Sequence, residues 1–295
     1  MKKTWMRAVR AAVPACAALS CLQSRAIDID AGDYTALPEG TSVAALYVQH
    51  AERDRLYANG NAAPGNNRLN SDIGILRLIH FTKIGGLTVD PQLLLPFGRL
   101  QARGDLAAPL GSTHGTADLI LAATVWLVED PTNRSYFGIT PFLYVPTGSY
   151  DANKALNLGE NRWKYALQAA YIQGLSANTT LDVALDVTSY GSNDKATPAG
   201  DKLKQSASLQ AQGFLRYNVS PAWDLRAGLS YAHQGETKVA GAGRNDAGSV
   251  TKLQLGTAGF VGPKTQLLAT WGRDLRVTNG FKESNRLNVR LLQLF

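Results

Sequence analysis

In 295 residues, 45% of them hydrophobic, the chain has two cysteines, Cys16 and Cys21, so from residue 22 onward a disulfide framework and a cysteine-held metal are excluded. The formal charge of +7 is concentrated at the start: five basic residues and no acidic one fall within residues 1–26. The remainder sets 25 basic against 23 acidic side chains, which removes the usual argument for a nucleic-acid partner.

The chain opens Met-Lys-Lys, with Arg7 and Arg10 close behind, and passes through a small apolar stretch from Ala11 to Leu22 into Ser24-Arg25-Ala26. That order of charge, apolar run and small residues reads as a secretory signal peptide cleaved after Ala26; the apolar run is too short to span a bilayer. Leu19-Ser20-Cys21 is a weaker rival, a lipoprotein-type site with Ala18 where an aliphatic residue is usual. Residues 1–26 are therefore expected to be the signal and 27–295 a single domain. No later run approaches the roughly 20 apolar residues of a spanning helix, so a membrane role requires strands closed into a barrel.

Twelve segments read as strands: about 42–50, 72–82, 87–98, 115–127, 135–146, 163–173, 179–190, 205–217, 223–233, 250–261, 265–273 and the chain end at Phe295. The clearest is 179–190, where Leu181, Val183, Leu185 and Val187 alternate with Asp182, Asp186 and Thr188. In 223–233, Trp223, Leu225, Ala227, Leu229 and Tyr231 alternate with Asp224, Arg226 and Ser230. Short connectors at 83–86, 129–133, 174–178, 218–222 and 262–264 alternate with long ones near 51–71, 99–114, 147–162, 191–204, 235–249 and 274–285. Even strand number, short turns at one rim and long loops at the other predict an all-β, up-and-down antiparallel outer-membrane barrel with both termini in the periplasm.

Alternation alone also suits a soluble barrel with its apolar face inward. Size decides: about eight strands can be filled by side chains, whereas twelve enclose space, so the polar face should be wet and the apolar face should meet lipid. Aromatics near segment ends then read as interfacial girdles: Tyr47, Phe97, Trp126, Phe137, Trp163, Tyr171, Tyr217, Trp223, Tyr231 and Trp271. Two segments strain the pattern, because Pro91 and Pro96 fall in one and Pro141 and Pro146 in another, and a closed barrel has no edge to hide a missing N–H. A bulge at the first proline of each is the expected solution.

Several stretches, among them Ser71–Leu100 (SDIGILRLIHFTKIGGLTVDPQLLLPFGRL), Ala117–Asp151 (ADLILAATVWLVEDPTNRSYFGITPFLYVPTGSYD) and Leu156–Tyr171 (LNLGENRWKYALQAAY), resemble a bacterial family of transporters of the meta pathway of phenol degradation. The likeness extends over Tyr47–Gly60, Gly235–Val239 and Thr265–Phe295, and so over most of the mature chain. It implies an outer-membrane barrel and passage of small hydrophobic or aromatic solutes; it brings no site residues with it. Terminal Phe295 suits recognition by the barrel-assembly machinery, although Gln293 stands in the lipid-facing phase.

For chemistry, the sequence offers four histidines, His50, His80, His114 and His233, without metal-ligand spacing and without a GxSxG or HExxH motif. Ser230 and His233 lie three apart and would point to opposite faces of a strand. A non-enzymatic role without cofactor is expected, with an outer-membrane hydrolase as the remote alternative. The polar phase nominates Asp118, Lys164, Asp182, Asp186, Arg216, Asp224, Arg226, Lys252 and Arg290 as lumen-lining. Pairing Tyr217 with Trp223 across the 218–222 turn would put Arg216 opposite Asp224, and a similar register would put Lys252 opposite Asp274. Such a ladder either tunes selectivity or stiffens and partly fills the barrel, and the second reading, a structural barrel with a filled lumen, is the main alternative to a channel.

Overall fold

The structure, a computed structural model, describes residues 28–295; the signal assigned to 1–26 lies outside the described residues. Twelve strands form the wall: β1 (Ser42–Ala58), β2 (Asn67–His80), β3 (Leu87–Gly104), β4 (Leu119–Asp130), β5 (Ser135–Val145), β6 (Lys164–Gly174), β7 (Thr179–Tyr190), β8 (Ser208–Asn218), β9 (Trp223–Gln234), β10 (Gly248–Phe260), β11 (Thr265–Val277) and β12 (Gly280–Leu294). Each pairs antiparallel with its neighbours in the chain, and β12 returns to β1, from Val43 opposite Leu294 to Tyr57 opposite Gly280. Closure satisfies every strand edge, which hydrocarbon demands.

The wall is uneven. β1, β2, β3 and β12 run 17, 14, 18 and 15 residues, while β5 and β6 run 11 each, so one side rises well above the other at the long-loop rim. The extra turns of strand had read as loop because their outward positions are polar: Glu52, Asp72, Arg99 and Arg103 replace the aliphatics found lower down. Around the lower band the outward phase is apolar and exposed, as at Val48, Leu185, Leu229 and Leu287.

The prolines are accommodated without a bulge. Register is unbroken on either side of Pro91, from Ile79–Gln92 to Thr82–Val89, but the intervening rungs are missing. There Phe81 turns inward and bonds instead to residues before β1: its N–H donates to the Thr41 carbonyl at 2.8 Å and its carbonyl accepts the Gly40 N–H at 2.8 Å. At Pro141 the β4–β5 ladder likewise skips from Ala122–Phe142 to Val125–Ile139, and the Thr124 N–H is taken by the Asp90 carboxylate at 2.7 Å. Register shifts occur elsewhere, beside Arg53, Trp126 and Thr251.

Residues 28–41 do not hang free at the short-turn rim, as termini placed in the periplasm would suggest. They thread the lumen. Ile29, Ala31 and Tyr34 are buried in a core with Phe81, Trp126, Tyr136, Ala170, Ile172, Ala184 and Phe214, all on the inner wall. Trp126 and Tyr47, expected in the aromatic girdles, therefore point inward and are buried; the indole Nε1 of Trp126 donates to the Tyr34 carbonyl at 2.9 Å. Trp163, Tyr171, Tyr217, Trp223, Tyr231 and Trp271 are exposed on the outside, as a girdle requires.

Candidate functional site

The lumen holds a cavity of about 680 Å³ between a floor, a lid and two unlike walls. Its size falls within the range of small-molecule sites.

The floor is the N-terminal segment. Its three aspartates meet the cations of the wall: Asp28 accepts from Arg286 at 2.6 Å, Asp30 from Arg290 at 3.1 Å, and Asp33 from Arg290 at 2.8 Å and Arg77 at 3.0 Å. Its backbone is tied as well, with the Gly32 N–H donating to Asp182 at 2.8 Å and the Ala31 carbonyl accepting from Arg226 at 2.8 Å. The Tyr34 hydroxyl bonds Thr140 at 2.7 Å and donates to Gln168 at 3.0 Å. Charges held this far from water persist because each is paired and hydrogen-bonded.

The lid is the loop 146–163 between β5 and β6. Asp118 anchors it, accepting the Gly148 N–H and the Glu160 N–H, each at 3.0 Å. Gly148 and Gly159 touch there: a Cβ on Gly148 would lie 2.6 Å from the Cα of Gly159, so neither position admits a side chain. From this anchor the loop reaches across to the tall side of the barrel, where Leu156 is buried against Leu56, Leu69, Leu100, Leu106, Leu110 and Phe281. At its far end Glu160 receives Arg162 at 2.7 Å and Lys164 at 2.5 Å. These cations also sit over rings, Arg162 at 4.5 Å from Tyr190 and Lys164 at 4.2 Å from Tyr144.

The walls differ. On β2–β5 the cavity is lined by Ile75, Leu94, Pro96, Ile120, Phe142 and Tyr144. Opposed pairing fixes their direction, Ile75 with Pro96, Leu94 with Ile120, and Ile120 with Tyr144. The opposite side is polar, with Gln254, Thr270, Arg286 and Asn288. An apolar face turned outward throughout is thus corrected here: in these four strands both phases are apolar, and one apolar phase lines the cavity.

All nine nominated polar residues lie on the inner wall, yet only Asp118 and Lys164 line the cavity. The other seven sit below or beside it, mostly tied up. Arg216 is not opposite Asp224: the observed register sets Arg216 against Arg226 and Asn218 against Asp224. Arg216 pairs instead with Asp182 at 2.7 Å, and Asp224 with Arg226 of its own strand at 2.6 Å. The turn shortens the pairing, because Val219 and Ser220 both bond back to the Trp223 carbonyl and push the first ladder pair two residues along. Lys252 is opposite Asp274 but spends its charge on Glu283 at 2.9 Å. Asp186 accepts from Gln168 at 3.4 Å, with its second oxygen buried and unpartnered among the described residues. Arg290 anchors the floor. Sequence reasoning missed the cavity's own lining, Tyr47, Arg77 and the β2–β5 aliphatics, because an apolar phase on both faces hides which one is inside. His50, His80, His114 and His233 are all exposed on the outer face, away from the cavity.

A family model described as "Putative MetA-pathway of phenol degradation" matches residues 53–291. Among solved structures, an outer membrane channel from Pseudomonas putida F1 is 40% identical and superposes with a TM-score of 0.87, over 91% of this chain and 100% of that one. The transport unit of an autotransporter from Escherichia coli superposes with a TM-score of 0.54 at 9% identity, over 94% of this chain and 95% of that one, which is a likeness of fold alone. No curated protein matches the sequence.

Proposed function

The chain belongs to this phenol-degradation family, and from that membership we propose that it is an outer-membrane channel passing small hydrophobic or aromatic compounds without altering them. The observation that carries the solute class is the apolar wall of the cavity, Ile75, Leu94, Pro96, Ile120, Phe142 and Tyr144, set between a floor and a lid tied by paired charges. A polar solute gains nothing from such a wall, whereas a ring buried against it leaves water at roughly 25 cal/mol per Å². Entry is from the long-loop rim, beside the lid; the short-turn rim faces the periplasm.

Liposomes containing the folded protein should take up small phenolic solutes faster than control liposomes. Ile120→Asp together with Leu94→Asp should cut that flux about tenfold, since each places an unpaired charge on the apolar wall. Unchanged flux in the variant sinks the proposed route. No flux in either protein favours a second reading, a structural barrel whose lumen is filled; the floor of residues 28–41 is the specific feature that recommends it.

Residues 1–26 serve in this reading as the export signal, and the closing strand β12, ending at the exposed Phe295, as the end offered to the barrel-assembly machinery. Fractionation of cells making the full chain, a chain without 1–26 and a chain without Phe295 tests both. Outer-membrane recovery equal to that of the full chain would count against whichever segment was removed.

A further inference from the structure

The outer surface carries a feature that passage through the lumen does not use. Inside the barrel the cations are partnered, as the floor and lid show. Outside, on the tall side, five are not: Arg55 on β1, Arg68 on β2, Arg99 and Arg103 on β3, and Lys282 on β12 form no ion pair among the described residues, and Arg103 only donates to Gln101 at 3.0 Å.

Pairing fixes their direction. Arg55 stands opposite Lys282, and the next pair along, Leu56 and Phe281, is buried on the inside. Arg68 stands opposite Arg103, and the next pair, Leu69 and Ala102, is buried on the inside too. Both cationic pairs therefore face out, on adjoining strands. Like charges directly opposed across a ladder destabilise it unless an anion lies between them. Arg99 extends the row along β3, with His114 opposite on the neighbouring segment Ser112–Thr116.

The acids on the same face do not resolve this. Asp72 stands opposite Arg99 but is held by His50 at 2.6 Å and forms no ion pair with the arginine, Glu52 lies near His50 and Asn285, and Asp54 at the β1 bulge reaches none of the cations. Directly beneath the row, Leu46, Val48, Leu76, Phe97 and Leu287 are exposed and apolar. The cations thus stand where a hydrocarbon band gives way to headgroups. Guanidinium forks match phosphate oxygens two at a time.

We infer that this row binds the phosphates of the outer-leaflet glycolipid, the bisphosphorylated diglucosamine lipid A. The inference rests on the long-loop rim facing outward and not on the solute that the cavity takes.

The test uses the full-length folded protein in detergent, titrated with bisphosphorylated lipid A, with dephosphorylated lipid A and with phosphatidylglycerol, and read by native mass spectrometry. The variant Arg55→Gln, Arg68→Gln, Arg99→Gln, Arg103→Gln, Lys282→Gln should bind bisphosphorylated lipid A about tenfold or more weakly. It should then bind no better than the unaltered protein binds the dephosphorylated lipid. A control variant stripped of loop charge, Lys195→Gln, Lys202→Gln, Lys204→Gln, Lys238→Gln, should bind as the unaltered protein does. Unheated gel migration confirms that each barrel is folded; if the fivefold variant does not fold, Arg68→Gln with Arg103→Gln carries the comparison. Equal binding by row variant and unaltered protein, equal loss in the control, or indifference to the phosphates overturns the inference. So does a preference for phosphatidylglycerol, which would put the row against the inner leaflet.

Discussion

Glu160 closes the lid with a charge. Burial pushes its carboxyl up, but Lys164 and Arg162 outweigh burial and hold it at about 2, against an ordinary 4.5. A carboxyl depressed on folding contributes stability above its free value and loses it as pH falls toward the depressed one. The lid should therefore stay fastened from neutral pH down to about 4.5 and loosen between there and about 2. The contribution lost is on the order of 3 kcal/mol. A spin label at the exposed lid position Asn153→Cys would follow it, and Glu160→Gln should give a looser lid at neutral pH with a smaller response to acid, the remainder belonging to the Asp118 anchor. A lid equally tight in Glu160→Gln would show that the Leu156 contact suffices. Much about such residues was legible in the sequence in direction but not in partnership. Period two turns Asp118, Asp182 and Arg290 to the inner phase, but many of their partners come from residues 28–41 and from a loop, neither of which has a period to read.

Among the elements, the strands are legible wherever lipid meets one face and charge the other, as in β7 and β9. They blur where that contrast fails. The upper halves of β1, β2 and β3 present polar residues outward and the cluster around Leu56 and Leu69 inward, an inverted pattern that resembles loop. In β3 and β5 both phases are apolar, so Leu93 and Leu94, or Phe142 and Leu143, cannot be assigned a side from sequence. Their prolines mark the same region for a different reason. Pro91 and Pro141 both flank Ala123, one in each neighbouring strand or ladder, and the missing rungs are replaced by Thr41 on one side and Asp90 on the other. Expecting a bulge assumed that the barrel must repair itself. The N-terminal segment supplies part of the repair instead.

At the scale of the whole molecule, the barrel and its N-terminal segment are two parts with different supports. The wall is held by its own ladder, closed from Val43–Leu294 to Tyr57–Gly280, with the segment adding to it only the two bonds at Phe81. Residues 28–41 are held by side chains: Asp28, Asp30 and Asp33 against Arg286, Arg290 and Arg77, with Tyr34 and Ile29 in the inner core. Breaking one partner of a buried pair typically costs about 3–5 kcal/mol, so the segment does not leave unaided. Joining residues 1–27 directly to Thr41, without 28–40, should still give a closed barrel with heat-dependent gel migration. Its lumen would differ in two ways: the floor is gone, and Asp28, Asp30 and Asp33 no longer pair with Arg77, Arg286 and Arg290, which the wall keeps. The shortened protein should conduct more than the full chain in planar bilayers, admit polar solutes that the full chain excludes, and favour anions. Higher salt should weaken the anion preference through screening and leave the added conductance in place. Unchanged conductance would mean that the lid, not the floor, limits passage. A gain without anion preference would mean that the three arginines find other partners once Asp28, Asp30 and Asp33 are absent.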